Sequence, residues 1–308
     1  MGENVIETQN LTRYFGPKCA VNALSVAVPR GCVFGFLGRN GSGKTTTIRM
    51  LLGLLEPTRG SVKVLGFDSR DLSPDVRARI GYLAEGHPVY GWMRVGECGK
   101  FQARFYENWN DDLFHSVLDY FHLDPKARAK DLSRGERAGL SLALTLAPEP
   151  ELLILDDPAM GLDPVARRAL LESMVYVTRQ ADRTIFFSSH LLSDVERVAD
   201  RIAVLDRGQL RSCCSLGTFR SRVRRVVLRF KGRPPEAPDI PGLLHAIRTE
   251  QEMSLTIANY DGQTEALIEK LGAEDLQHVP IDLEEAFIDY VGERGERHFF
   301  LQQEGEPS

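Results

Sequence analysis

The segment GRNGSGKT, Gly38 to Thr45, has the residue types and spacing of a loop that binds phosphate. Its glycines let successive backbone amides turn toward one anion, and the helix predicted directly after the loop presents its positive end to the same point. Lys44 is placed to reach the terminal phosphates, and the Thr45 hydroxyl is expected to bind Mg²⁺. The apolar segment before the loop and the helical segment after it complete the order of strand, loop and helix that such a site requires.

A second segment, LLILDD from Leu152 to Asp157, is an apolar run that ends in two adjacent carboxylates. We expect a buried strand whose end delivers Asp156 to the metal that Thr45 also binds. In isolation the same pattern describes a core strand followed by two solvated acids. The phosphate loop favours the metal-binding interpretation, and it makes Asp157 the candidate for polarising a water molecule.

Between these two segments lies DLSRGERAGL, in which Ser133 and Gly135 stand at the predicted start of a helix. A hydroxyl and free backbone amides at such a position bind a phosphate. Ser133 and Glu136 also have the spacing of a capping box, which is the purely structural interpretation. The position of the segment, about 20 residues before the carboxylate strand, favours the phosphate-binding role.

The composition is that of an ordinary globular protein, with 43% hydrophobic and 26% charged residues among 308. A net charge of −5 argues against a surface built mainly for nucleic acid. The start, MGENVIETQN, lacks the apolar segment of a signal peptide, and MLLGLL is far shorter than the ~18 residues of a membrane span. We therefore expect any membrane role to act through a partner. The five cysteines lack metal-binding spacing and are predicted to be reduced thiols.

The order of elements predicts an α/β fold in which helices cover a parallel sheet. Segments of buried-strand character alternate with segments of helical period; the strand segments are VFGFL, LLILDD, TIFFSS and RIAVLD. The helix after the phosphate loop is expected to end near Glu56 and Pro57. After about Gly208 the elements become shorter, and the basic segment from Arg220 to Arg225 is predicted to be a solvated face on an edge strand.

Over roughly the first 210 residues, the order of these motifs resembles the nucleotide-binding domain of ABC transporters. LSRGE is similar to that family's signature, normally LSGGQ, with Arg134 in a glycine position and Glu136 in the glutamine position. MGLDP is similar to the loop that crosses the dimer interface, with Met160 in place of the usual serine. His190 matches the switch histidine, which follows a strand and touches the γ-phosphate.

The resemblance also implies roles for several residues outside these motifs. Phe15 aligns with the aromatic residue that stacks on adenine; Tyr14 is the neighbouring alternative, and core packing is the structural one for both. Glu85 occupies the place of a glutamine that joins the metal site to the membrane partner. Tyr90, Trp92 and Met93 have two interpretations: they are exposed anchors for that partner, or they are packing residues of a helical subdomain.

The resemblance implies ATP and Mg²⁺ as ligands, with Lys44, Asp157 and His190 as catalytic residues. The metal is expected on Thr45, Asp156 and Glu85. The nucleotide is expected on Phe15, Gly38, Arg39, Asn40, Gly41, Ser42, Gly43, Lys44, Thr45, Thr46, Ser133 and Gly135.

The fold implied is a P-loop NTPase of the ABC ATPase type with a small C-terminal α+β appendage. We expect a nucleotide-binding domain at 1–215 with a helical subdomain at about 86–145, an accessory domain at 216–295, and a flexible tail at 296–308. Asp157 stands where the family normally has glutamate, so its carboxylate is one methylene shorter and hydrolysis is expected to be slow.

The function implied is an ATPase subunit that forms a homodimer or heterodimer around MgATP and powers separate polytopic membrane subunits. Its place is the cytoplasmic face of the membrane, and the chain's ending resembles the drug and antibiotic export subgroup. Two alternatives stay open: an ATP-gated regulatory subunit with little hydrolysis, and a non-transport ABC ATPase. Proteins of the latter kind usually carry two nucleotide domains, a long coiled coil or zinc-binding insertions, and none is visible here. No nucleic-acid partner is expected.

Overall fold

The computed structural model describes residues 3–181, 183–236, 238–281 and 283–291. The chain divides into two compact units, and the division falls between Ser215 and Leu216. Among the described residues, no helix combines the length and the apolar character needed to cross a bilayer. The predicted tail at 296–308 lies outside the described residues.

The first unit contains two sheets with helices packed on them. Its strands are β1 (Asn4–Phe15), β2 (Lys18–Leu24), β3 (Ala27–Pro29), β4 (Val33–Gly38), β5 (Arg59–Val64), β6 (Phe67–Asp68), β7 (Ile80–Leu83), β8 (Leu152–Leu155), β9 (Thr184–Ser189), β10 (Arg201–Asp206) and β11 (Gln209–Ser215). Its helices are α1 (Lys44–Leu51), α2 (Pro74–Ala78), α3 (Val95–Gln102), α4 (Asp111–Tyr120), α5 (Arg134–Leu146), α6 (Pro164–Ala181) and α7 (Leu192–Val198).

The central sheet has the strand order β11-β10-β4-β9-β8-β7. Strands β10, β4, β9, β8 and β7 run parallel, and β11 pairs antiparallel with β10. Every residue of β4, β8 and β9 is buried. Accordingly β4 and β8 are apolar throughout instead of alternating, and β9 is apolar except for Thr184, Ser188 and Ser189. The predicted parallel sheet and its four strand segments are confirmed.

The helix after the phosphate loop is shorter than predicted. Helix α1 ends at Leu51, and the chain then turns at Gly53, whose φ of +66° lies in the left-handed region. A Cβ added at Gly53 would lie 2.1 Å from the carbonyl oxygen of Ser69, so this position requires glycine. The predicted end near Glu56 and Pro57 is wrong because the apolar period continues past the residue that ends the helix.

The N-terminal sheet is antiparallel and has the order β2-β1-β5-β6, with β3 also paired to β1. Its buried side chains share one core with α1 and the central sheet; Ile6, Phe36 and Met50 are typical members, each exposed by 1% or less. The phosphate loop therefore lies between two elements, β4 and α1, that are both anchored in this core.

Helices α3, α4 and α5 form a helical subdomain with its own core, which contains Val95, Phe114 and Leu140. Met93 is only 6% exposed and belongs to this core, so of its two interpretations the packing residue of the helical subdomain is confirmed and the exposed anchor is wrong. The period of the sequence does not distinguish it from its neighbour Trp92, which is 73% exposed.

In the described residues of the second unit, three helices accompany a four-stranded antiparallel sheet, whose strand order is β13-β14-β12-β15. Its core includes Val226, Leu228 and Leu255. The strands are β12 (Val223–Arg229), β13 (Leu243–Arg248), β14 (Glu252–Ala258) and β15 (Asp275–Val279), and the helices are α8 (Leu216–Arg222), α9 (Gly262–Glu269) and α10 (Leu283–Val291).

The basic segment at 220–225 does not lie on an edge strand. Its first half belongs to α8, and its second half begins β12, an interior strand of the sheet. The Arg225 guanidinium donates to Glu285 at 2.7 Å and to the buried Asp289 at 3.2 Å. The edge-strand prediction is wrong because strand order is set by pairing partners more than 20 residues away in the chain.

Candidate active site

The candidate site lies at the carboxyl ends of three neighbouring parallel strands. The phosphate loop follows β4, His190 follows β9, and Asp156 and Asp157 follow β8. A cavity of about 520 Å³ opens there. It is lined by Phe15, Lys18, Ala20, Asn40, Gly41, Gly43, Lys44, Thr45, Thr46, Glu85, Asp156, Asp157 and Met160.

The phosphate loop has the backbone conformation that its glycines predict. Gly41 and Gly43 have φ values of +79° and +108°, and a Cβ added at Gly43 would lie 2.5 Å from the Ala20 carbonyl oxygen. Lys44 Nζ donates to the carbonyl oxygen of Gly38 at 2.7 Å and to that of Arg39 at 3.3 Å. The lysine thus lies along the loop, where its charge and the loop amides are placed to act on one anion.

The Ser42 hydroxyl, also in this loop, is buried and has no hydrogen-bond partner among the described residues. Buried polar groups are almost always partnered, so an orphaned hydroxyl inside a phosphate loop fits a site whose partner is a ligand. Gly38, Arg39 and Ser42 shape the loop without lining the cavity within the described chain.

The pKa values of two charged groups in the cavity, Lys44 and Asp156, are shifted from their ordinary values. Burial lowers the pKa of Lys44, while the charges of Asp157, Asp156 and Glu85 act in the opposite direction. Burial raises the pKa of Asp156, and hydrogen bonds from Ser188 and Thr45 partly oppose this. Three carboxylates, Glu85, Asp156 and Asp157, and two lysines, Lys18 and Lys44, line the cavity and leave it acidic, which suits a site completed by a cation.

The residues predicted to hold Mg²⁺ lie together at one side of the cavity. Thr45 Oγ1 donates to Asp156 Oδ1 at 3.2 Å, and Glu85 lines the same cavity. Mg²⁺ takes hydroxyl and carboxylate oxygens, usually one or two from the protein with the rest from water and substrate phosphates. The donor set present fits that ion.

Asp157 is held at its backbone and at its side chain. Its backbone has φ +43°, its N–H donates to Ser188 Oγ at 2.8 Å, and its carboxylate oxygen Oδ2 accepts from His190 Nδ1 at 2.7 Å. The side chain is nearly buried yet borders the cavity. The carboxylate that stands in the usual place of glutamate is therefore engaged with the histidine after β9.

The aromatic candidates separate clearly. Phe15 is 46% exposed and lines the cavity, whereas Tyr14 is not among the lining residues in the described chain. The Arg13 guanidinium lies 4.8 Å from the centre of the Phe15 ring, which fixes that ring. Lys18 and Ala20 of β2 also line the cavity. No local signal marks them, because they reach the site through the pairing of β1 with β2.

Ser133 and Gly135 lie at the start of α5 and, within the described chain, border no part of the 520 Å³ cavity. Ser133 Oγ accepts from the Glu136 N–H at 3.3 Å, and Glu136 Oε2 accepts from the Ser133 N–H at 2.8 Å, so the predicted capping box is confirmed. The predicted phosphate-binding role of Ser133 and Gly135 is therefore not fulfilled at the cavity of their own chain.

A second cavity of about 490 Å³ adjoins the first and shares Thr45, Glu85, Asp156 and Met160 with it. His87, which also lines it, is buried, and its Nε2 donates to the carbonyl oxygen of Pro158 at 2.8 Å. This bond, which links the loop after Glu85 to the loop after Asp157, had no sequence signal.

Comparison with known proteins identifies the family. The ABC transporter family matches residues 21–160. The chain is 35% identical over 208 residues to the bacitracin transport ATP-binding protein BcrA of Bacillus licheniformis, an alignment that covers 67% of this chain and 68% of that protein. This chain is an ATP-binding protein of the ABC transporter family. The predicted family and its drug-export resemblance are confirmed.

This ABC transporter ATP-binding protein is also similar to a second relative and to a solved structure. It is 30% identical over 300 residues to the Nod factor export ATP-binding protein I of Neorhizobium galegae, across 95% of this chain and 86% of that one. A solved structure described as the ATP-binding subunit of an ABC transporter aligns with a TM-score of 0.64 at 27% identity, covering 70% of this chain and 92% of that one. The predicted fold class is confirmed.

Proposed function

We propose that this chain is the ATP-hydrolysing subunit of an exporter, which binds MgATP, dimerises around it and powers separate transmembrane subunits from the cytoplasmic face of the membrane. One observation carries the proposal. The phosphate loop, Asp156 and Asp157 line one cavity at the ends of β4 and β8, and His190, at the end of the strand between them, is hydrogen-bonded to Asp157.

The chemistry follows from the residues that surround the cavity. Lys44 and the loop amides bind the phosphates, and the ring of Phe15 stacks on the base. Thr45 and Asp156, with Glu85 beside them, would hold Mg²⁺, which would neutralise negative charge on the phosphates when bound. Asp157 orients the attacking water, and His190 keeps the Asp157 carboxylate in place through its Nδ1–H.

Dimerisation supplies what one chain lacks, because Ser133 and Gly135 do not border their own cavity in the described chain. Arg134, between them, donates from Nη1 to the carbonyl oxygen of Gly161 at 3.4 Å. The two segments that the family resemblance assigns to the dimer interface, LSRGE and MGLDP, are therefore in contact with each other. This contact supports one continuous surface for the second nucleotide-binding subunit, identical or related.

Exposed aromatic residues on the helical subdomain support the proposal of a membrane partner. Tyr90 and Trp92 are 48% and 73% exposed, and their ring centres lie 6.1 Å apart. Phe101 joins Tyr90 to Phe105, which is 70% exposed. Exposed clusters of this kind bury well against an apolar helix of a partner.

The direction of transport is a separate point. The relatives named for bacitracin transport and Nod factor export favour export.

The test is steady-state ATP hydrolysis by the purified chain with Mg²⁺, beside Lys44→Ala and a control at an exposed lysine, Lys100→Ala. We expect turnover in the wild type and in Lys100→Ala, and none in Lys44→Ala. Equal rates in the wild type and Lys44→Ala would contradict the proposal.

A second candidate function is an ATP-gated regulatory subunit. The bond between Asp157 Oδ2 and His190 Nδ1 favours it, since a carboxylate committed to histidine is less available to water. Equilibrium binding of a fluorescent ATP analogue distinguishes the two functions: tight binding without turnover indicates the regulatory subunit, and binding with turnover indicates the motor.

A further inference from the structure

Ser188 lies in β9, fully buried, with its hydroxyl in contact with both residues that follow β8. Ser188 Oγ donates to Asp156 Oδ1 at 2.9 Å and accepts from the Asp157 N–H at 2.8 Å. A serine hydroxyl has one proton and two acceptor lone pairs. The carboxylate can only accept and the amide can only donate, so the roles in both bonds are determined.

The backbone of Asp157 needs such support. Its φ of +43° is uncommon for any residue but glycine, and aspartate adopts it with the help of local hydrogen bonds. Three bonds do so: the N–H donates to Ser188, the C=O accepts from the Met160 N–H at 3.0 Å, and the carboxylate accepts from His190. Ser188 holds the backbone, while His190, two residues later, holds the side chain.

The two neighbouring serines of β9, Ser188 and Ser189, are both buried but have different partners. The adjacent Ser189 is also buried, but its hydroxyl bonds to Leu191 and Asp194, in the turn and helix that follow. Only the alternation of β9 sends one hydroxyl to the carboxylates and the next one away from them.

We propose that Ser188 is a positioning residue for ATP hydrolysis, which acts by fixing the Asp157 backbone. The inference rests on the proposed function. Because the aspartate side chain is short, the place of its carboxylate is set largely by its backbone. A displacement near 1 Å costs on the order of 10²-fold in rate.

The kinetic test compares Ser188→Ala, which removes the hydroxyl, with Ser188→Thr, which keeps it. The matched control is Thr184→Val at the other end of β9, where a fully buried hydroxyl accepts from the Gly31 N–H at 2.9 Å, remote from the carboxylates. We expect Ser188→Ala to lower kcat about tenfold or more while KM changes less than about threefold, the pattern of a group that acts on the chemical step. Ser188→Thr recovers most of the rate, and Thr184→Val keeps it.

A double-mutant cycle tests whether the effect passes through Asp157. In an Asp157→Asn background, Ser188→Ala is expected to lower the remaining rate by less than about threefold, because the group that it positions is already disabled. Full additivity of the two changes would overturn the inference, since Ser188 would then act elsewhere.

Amide hydrogen exchange in the nucleotide-free protein gives a measurement that does not depend on turnover. The Asp157 amide is expected to exchange faster in Ser188→Ala than in the wild type, Ser188→Thr or Thr184→Val. If Ser188→Ala does not fold, Ser188→Cys replaces it, because a thiol has a similar size but is a weak donor.

The outcomes separate the two proposals. Wild-type turnover with an unchanged kcat in Ser188→Ala, or equal Asp157 exchange in both, would overturn the role of Ser188 alone. A wild type that is no faster than Lys44→Ala would overturn the proposed function and the role in hydrolysis with it. Amide exchange would then report only whether Ser188 holds the Asp157 backbone.

Discussion

Asp157 has the shortest side chain that can present a carboxylate, and this carboxylate already has a partner. His190 Nδ1 lies 2.7 Å from Oδ2, and the backbone on the other side is held by Ser188. A glutamate at this position would extend the carboxylate by one carbon–carbon bond, about 1.5 Å. The local geometry therefore ties the expected slow hydrolysis to the position of one group.

Asp157→Glu is expected to raise kcat at saturating MgATP by at least about threefold, because the longer side chain brings the carboxylate closer to the attacking water. Asp112→Glu, at an exposed position in α4, is the control and should leave kcat unchanged. The measurement is steady-state phosphate release. An unchanged or abolished rate in Asp157→Glu would show that the base lies elsewhere.

Glu151 stabilises the start of β8 through its carboxylate. Arg79 donates from Nε at 2.6 Å and from Nη2 at 3.1 Å, and Arg30 donates from Nη1 at 3.2 Å. The hydrogen bonds from Arg79, assisted by Arg30, lower the pKa of Glu151 below 4.5. Its stabilisation is therefore fully present above pH 4.5 and is lost as the pH falls through the lowered folded-state value.

Glu151→Gln is thus expected to lower the free energy of unfolding at pH 7 by up to about 1 kcal/mol, a modest figure because the group is partly exposed. The difference from the wild type should shrink as the pH falls below 4.5. Urea unfolding at several pH values measures it, with Glu107→Gln, an exposed glutamate, as control. A difference that grew toward low pH would contradict the assignment.

At the scale of elements, α5 approaches α4 through Gly139. A Cβ at Gly139 would lie 2.4 Å from Cγ and 2.6 Å from Cβ of Phe121, which are atoms at the root of the ring and cannot swing aside. Alanine is favoured over glycine inside a helix by up to about 1 kcal/mol, but overpacking a core costs about 1–3 kcal/mol. The clash is the larger effect.

Gly139→Ala is therefore expected to lower the free energy of unfolding by about 1–2 kcal/mol, visible as a lower Tm. Gly262→Ala is the matched control, because it adds the same methyl group at the start of α9 with nothing within 4 Å. That variant should be neutral or slightly stabilising. A Tm that rises in Gly139→Ala would mean that α4 adjusts without cost.

At the scale of the whole molecule, the nucleotide is expected to hold two copies or two related subunits together. Asp157→Asn, which should bind MgATP and hydrolyse it slowly, is predicted to double its mass with MgATP and to return to a monomer when EDTA removes Mg²⁺. Lys44→Ala should stay monomeric. Light scattering coupled to gel filtration measures the mass. A monomeric Asp157→Asn under all conditions would leave Ser133 with its capping role alone.

Much of the fold and part of the site follow from local patterns. The strands β4 and β8 are apolar throughout, and β9 and β10 contain continuous apolar runs, because both faces of a parallel sheet are covered; this composition is legible in the sequence. The phosphate loop is legible for a similar reason, since its glycines and lysine act within eight consecutive residues. The capping box at Ser133 is equally local.

The sequence by itself thus determined the family, the sheet, the phosphate loop and the pair of carboxylates, because each depends on neighbours in the chain. Only the tertiary structure decided that Met93 is buried, that β12 is an interior strand, and that Ser188 and His190 hold Asp157. The bonds from Asp157 to Ser188 and His190 join residues about 30 positions apart, and they exist because β8 and β9 are neighbours in the sheet. Strand order is a property of the packed molecule, so no local period reveals it.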